Sequence, residues 1–193
     1  MVTYIILALV ALVVVLGIIV AIQPSDFRVA RTMKIAAPAS AIFPHINDLH
    51  RWEPWSPWEK LDPALTRTYS GAELGIGASY AWSGNNKVGE GRMTIVDSRP
   101  HEHIRMQLEF VRPFKATNMV EFVFRPADDG QTAVTWNMTG TNNFMGKAFG
   151  LVMNMDKMIG RDFEKGLAQL KAVVEGEVAK QTRSEAATKT SPA

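Results

Sequence analysis

The chain has 193 residues, 47% hydrophobic and 21% charged, with a formal net charge of +2, values that suit one globular domain with appendages and exclude a disordered or collagen-like chain. Cysteine is absent, which excludes disulfides, Cys-ligated zinc, iron–sulfur clusters and a cysteine nucleophile. The 21 basic and 19 acidic residues are interspersed rather than blocked, so no nucleic-acid partner is expected.

From Val2 to Ile22 no side chain is charged, and apart from Thr3, Tyr4 and Gly17 the run is Ala, Val, Ile and Leu. As a helix rising about 1.5 Å per residue it would span about 31 Å, one hydrocarbon core. Residues 1–24 are therefore expected to form a transmembrane anchor. No basic segment precedes the run and Ile19-Val20-Ala21 is a poor cleavage site, which favours an uncleaved anchor over a signal peptide. Arg28, Arg31 and Lys34 follow it, and this charge asymmetry predicts a single-pass protein with its body on the cytoplasmic side. Gln23-Pro24-Ser25 ends the helix and opens a short linker.

Residues 25–175 read as the folded domain. Phe27, Val29, Met33 and Ile35 alternate with polar neighbours over Asp26–Ala36, which predicts a strand whose apolar face Arg31 interrupts. Ile42, Phe43, Ile46 and Leu49 predict a short helix with Pro38 in its first turn. The two prolines of Trp52-Glu53-Pro54-Trp55-Ser56-Pro57-Trp58 make that segment an aromatic-rich loop, either packed under the short helix or placed at a cavity mouth or membrane interface. Short apolar runs bounded by turn residues then predict six antiparallel strands, around Leu65–Ser70, Ala78–Trp82, Met93–Ile95, Ile104–Phe110, Val120–Phe124 and Val134–Met138. Asp129-Gly130 marks the last hairpin turn. From about Met145 to Val174 the period changes to three or four, which predicts one long amphipathic helix. Its glycines 146, 150, 160 and 166 suggest close approach to something. Residues 176–193 nearly lack large apolar side chains and are expected to be a disordered tail.

The order of elements predicts an α+β plan: a curved antiparallel sheet of about seven strands gripping a long C-terminal helix, preceded by a transmembrane helix. Four stretches carry a family likeness: residues 52–60, Tyr80-Ala81-Trp82-Ser83-Gly84-Asn85, Val88-Gly89-Glu90-Gly91-Arg92-Met93, and residues 155–163 from Met155 to Phe163. In these the chain resembles the START-like, helix-grip superfamily and, within it, bacterial polyketide cyclase/dehydrase-type (SRPBCC) proteins with an N-terminal membrane segment. The resemblance covers about Phe27 to Val174. It implies an apolar cavity between sheet and helix.

The residues themselves offer little chemistry. His101 and His103 would share a strand face without a third metal ligand, and His45 and His50 read as surface groups beside the short helix. Glu109 and Glu121 fall out of phase with the apolar face, and no carboxylate pair stands out. Gly71-x-x-x-Gly75-x-Gly77 and Gly89-x-Gly91 lack a full nucleotide fingerprint and read as turns and bends. No catalytic residue, metal or cofactor is expected. What remains is an apolar face of Tyr80, Trp82, Met106, Leu108, Phe110, Phe122 and Trp136 opposite Met155, Ile159 and Phe163, with Asn118 as one polar group. A filled core and a ligand cavity both satisfy this pattern. The reading adopted is a membrane-tethered binding module for a lipid or other hydrophobic small molecule. The alternatives are a cyclase/dehydrase-like enzyme using Tyr80, Asn118 or Arg92, or a ligand-free structural or regulatory protein whose protein partner the sequence does not identify.

Overall fold

A computed structural model describes residues 1–190 of the chain. Helix α1 (Val2–Ala21) buries only Val20 and meets the body at its C-terminal end, where Lys147 of the segment after the sheet reaches the Ala21 carbonyl. It is long and apolar enough to cross a membrane. Strand β1 (Asp26–Ile35) leads to α2 (Ala39–Asn47) and a 3-10 turn (Leu49–Trp52); β2 (Thr66–Gly71), β3 (Ala78–Ser83), β4 (Glu90–Arg99), β5 (His103–Arg112), β6 (Ala116–Pro126) and β7 (Thr132–Thr141) follow. Two helices close the chain, α3 (Phe144–Val152) and α4 (Met155–Thr190).

The seven strands form one antiparallel sheet in the order β1-β7-β6-β5-β4-β3-β2, a meander to which β1 adds at the β7 edge. Register shifts in β4 at Glu90/Gly91 and Ile95/Asp97 bend it. At the first of these Gly89 takes φ +66°, and a Cβ on Gly91 would meet the Trp82 ring and the Glu109 carbonyl, so both glycines are bends as their spacing suggested.

Helix α4 lies across the inward face, burying Phe163, Leu167, Leu170 and Val174. At about 1.5–3 kcal/mol per buried side chain, these contacts outweigh the roughly 1 kcal/mol that each helix glycine costs. Two glycines make the approach possible. A Cβ on Gly166 would stand 2.7 Å from the Trp136 ring and 3.1 Å from Pro57, and one on Gly160 would collide with the Arg31 guanidinium. Arg31 does lie on the inward face, but α4 answers its charge: Nε donates to Glu164 at 2.8 Å, and Nη1 and Nη2 donate to the Asp156 carboxylate at 3.1 and 3.0 Å.

Three expectations are corrected. The helix predicted from Met145 to Val174 is two helices, because Met153 is extended and Asn154 starts a new one by accepting the Lys157 N–H at 2.8 Å. Asn143 caps α3 in the same way at the Gly146 N–H, 2.9 Å. The tail expected to be disordered is helical as far as Thr190, since Val178 packs against the core and the Ala, Glu, Lys, Gln and Arg around and after it favour a helix; residues 191–193 lie outside the described residues. Pro38 is the N-cap of α2 rather than part of its first turn.

Candidate ligand-binding site

The interior between sheet and α4 has two unlike ends. At one end Trp52, Trp55, Trp58, Phe122, Trp136 and Phe163 pack ring against ring, with Trp136 stacked on Phe163 at 4.3 Å and Trp52 tilted against Trp55 at 4.5 Å. The indoles of Trp52 and Trp55 donate to the Ile46 and His45 carbonyls of α2 at 3.0 and 3.1 Å. The aromatic loop therefore packs beneath α2, and Trp52 and Trp55 reach neither a cavity mouth nor a membrane interface. Met106, Phe122, Trp136 and Phe163 of the expected lining are almost fully buried here. The Trp136 indole N–H, like the Gln169 side-chain oxygen of α4, is buried without a partner among the described residues.

The other end is looser. Trp82, Leu108, Phe110, Met155 and Ile159 are only half-buried. They sit where β3, β5 and β7 finish and β1, β4 and β6 begin, which is also the end that receives the chain from α1. The Trp82 indole donates to the Val88 carbonyl at 3.0 Å and its ring meets Phe110 edge-on at 5.9 Å. Asn118, 7% exposed, faces inward between Leu108 and Gly140 of the neighbouring strands, and its amide makes no hydrogen bond among the described residues. Unlike the Trp136 indole N–H, the Asn118 amide is not sealed from solvent, so water or the polar group of a ligand can reach it.

Two concavities of the described residues bear on this end. One, about 440 Å³, is lined by Asn142, Gly150, Leu151, Val152, Met153, Asn154 and Met155, and so adjoins the looser end. The other, about 540 Å³, crosses the outward face of β2 to β6 past Thr68, Arg92, Glu109 and Thr117 and touches the rims of Trp82 and Phe110. Arg92 thus points away from the interior, as its phase predicted.

Between the two ends lies a charged group that the sequence reading passed over. Glu59, 8% exposed, accepts from the Tyr80 phenol and from Arg67 Nε, each at 2.7 Å. Burial, and after it the hydrogen bond and charge of Glu59, push the Tyr80 phenol far above its ordinary range. Tyr80 therefore holds its proton and spends it on Glu59, which makes it a poor general acid. The signal was available in part: once β2 is registered on β3, Arg67 pairs with Trp82 and Tyr69 with Tyr80. That Glu59 would fold inward from a Trp- and Pro-rich loop carried no local mark.

The histidines separate. His103 Nε2 lies 2.9 Å from Asp97, His101 meets Phe43 edge-on at 5.7 Å, and His50 stacks on Tyr69 at 4.0 Å. His45, expected at the surface, is 5% exposed with Nε2 3.2 Å from Glu177, because the α2 face that carries it is covered by α4. Among the described residues no group of three or more histidines and carboxylates could hold a metal ion.

A sheet wrapped on a long C-terminal helix around an apolar interior defines the helix-grip class. Within it, residues 26–175 match the family described as polyketide cyclase / dehydrase and lipid transport, and the chain belongs to that family. No curated protein matches it in sequence. Among solved structures, protein CV1439 from Chromobacterium violaceum is similar over 79% of this chain and 99% of its own (14% identity, TM-score 0.54). Protein Ms6760 from Mycobacterium smegmatis covers 78% and 92% (19%, 0.55), and CalU16 from Micromonospora echinospora 85% and 96% (16%, 0.51). At these identities the likeness establishes the fold.

Proposed function

We propose that the protein is a membrane-tethered binding module that takes a lipid or other hydrophobic small molecule into the looser end of its sheet–helix interior. The observation that carries this reading is the asymmetry of that interior. Aromatic packing closes the far end, while the end beside α1 combines half-buried Trp82, Leu108, Phe110, Met155 and Ile159 with the unbonded amide of Asn118. Such a combination suits an apolar ligand with one polar group, oriented by the amide and enclosed by adaptable side chains. Phe122, Trp136 and Phe163 form the floor of the site and Tyr80 its wall. The helix α1 is an uncleaved span with the body on the cytoplasmic side, and tethering keeps the site at high effective concentration beside membrane-dissolved ligand.

A cyclase or dehydrase reaction finds less support, since Tyr80 is committed to Glu59 and Arg92 faces outward. The test is native mass spectrometry, with solvent extraction, of the full chain purified from bacterial membranes in mild detergent. A stoichiometric lipid or quinone-like adduct is expected, weakened in Asn118→Leu and Phe110→Ala and retained in Glu102→Ala. A protein that emerges empty and takes up no added lipid would shift the assignment to a ligand-free structural or regulatory role.

A further inference from the structure

Helix α3 has no buried residue, yet eight of its nine residues are uncharged and most of its side chains are large and apolar. Phe144, Met145, Phe149 and Val152 are 55%, 54%, 46% and 86% exposed, and Met153 just after the helix is 43% exposed. The tip of the β5–β6 hairpin joins them: Phe114, 60% exposed, meets the Phe149 ring at 6.2 Å. A nine-residue helix is marginal in water on its own, and a contiguous apolar patch of this kind marks an interaction surface.

The surroundings of the patch identify what covers it. The one charged side chain of α3, Lys147, donates to the carbonyl of Ala21, the last residue of α1, at 3.2 Å. Just before α3 the Asn142 N–H donates to the Ser25 carbonyl at 2.8 Å. Only residues 22–25 separate α1 from β1, a reach of at most about 14 Å. If α1 spans one hydrocarbon core, its C-terminal end lies at the bilayer interface, and these contacts hold α3 at the same level. Lys115, exposed beside Phe114, adds a cation suited to lipid headgroups.

We propose that α3 and the tip of the β5–β6 hairpin form one surface that lies in the headgroup and upper acyl region of a lipid bilayer, and so holds the looser end of the interior against the membrane. The proposal rests on the reading of α1 as a membrane span. It gives the tethered module a route for its ligand: the concavity lined by Val152, Met153 and Met155 opens within this surface, so an apolar molecule passes from acyl chains to the interior without crossing water.

Because the chain has no cysteine, single cysteines can be labelled uniquely with a nitroxide in the full-length protein. Val152→Cys, Phe114→Cys, Val10→Cys and Glu102→Cys would be reconstituted in vesicles of equal parts phosphatidylcholine and phosphatidylglycerol. Accessibility to oxygen and to a water-soluble nickel chelate then reports depth. The labels at 152 and 114 are expected to be several-fold less accessible to nickel than the label at 102, which sits at the opposite end of the sheet, and shallower than the label at 10. Labels at 152 and 114 as accessible as 102, with 10 deep in lipid, would overturn the docking surface and leave the anchor standing. A label at 10 open to nickel would overturn both. All four positions are exposed on the protein, so the substitutions leave the packed core untouched.

Discussion

Gly166 and Gly176 occupy the same helix and are opposed in what surrounds them. A Cβ at 166 would press on Trp136 and Pro57, both rigid, whereas at 176 nothing lies within 4 Å. Overpacking a core costs about 1–3 kcal/mol and replacing a helix glycine by alanine returns about 1 kcal/mol. Gly166→Ala is therefore expected to lower stability by about 1 kcal/mol, and Gly176→Ala to raise it by up to about 1 kcal/mol, in denaturant melts of the same preparation. Equal effects at the two positions would mean that α4 does not approach the sheet as closely as described. Asn118 illustrates what a single position discloses. Its phase on β6 placed it on the inward face, but whether a neighbour satisfies its amide depends on Leu108 and Gly140, which reach it from two other strands.

At the scale of elements, α4 is tied to β1 at the middle of the strand and just past its C-terminal end. Asp156 pairs with Arg31, and Glu175 accepts from the Ala36 N–H at 2.7 Å and from Lys171 at 2.6 Å. The bond from Arg31 holds the Asp156 carboxyl below its ordinary range, and those from Lys171 and Ala36 do the same for Glu175. A carboxyl lowered in the folded state contributes stability above its unfolded pKa and loses it as pH falls through the folded value. Thermal stability should thus decline from about pH 4–5 downward, and the Asp156→Asn, Glu175→Gln double variant should show a flatter acid slope in melting curves taken from pH 7 to pH 3. An unchanged slope would assign the acid response to other carboxyls, of which Asp97, lowered by His103, is the first to replace. The strands themselves were legible because alternation and turn residues are local properties. The break between α3 and α4 was less so: apolar spacing continues through it, and the caps Asn143 and Asn154 mark it only when weighed against that spacing.

At the scale of the whole molecule, the proposed reading of α1 as an uncleaved anchor makes a direct prediction. The full chain is expected to remain in membrane pellets through a carbonate wash and to be released by detergent with an intact mass of 21.4 kDa. Release by carbonate, or a mass reduced by the N-terminal run, would remove the uncleaved anchor. The amino-acid sequence by itself determined the apolar run, the seven strands, the amphipathic C-terminal helix and the inward phase of the site residues, since each follows from a period of two or of 3.6 along one segment. Tertiary structure alone decided which part of that inward face is filled. The aromatic loop, α2 and α4 come together from distant segments to pack one end, whereas the other end, met by the start of α4, by α3 and by the chain arriving from α1, is left half-buried. Burial of Glu59 and His45, and exposure of Phe114 and Phe149, depend on the same meeting of distant segments, which no local pattern encodes.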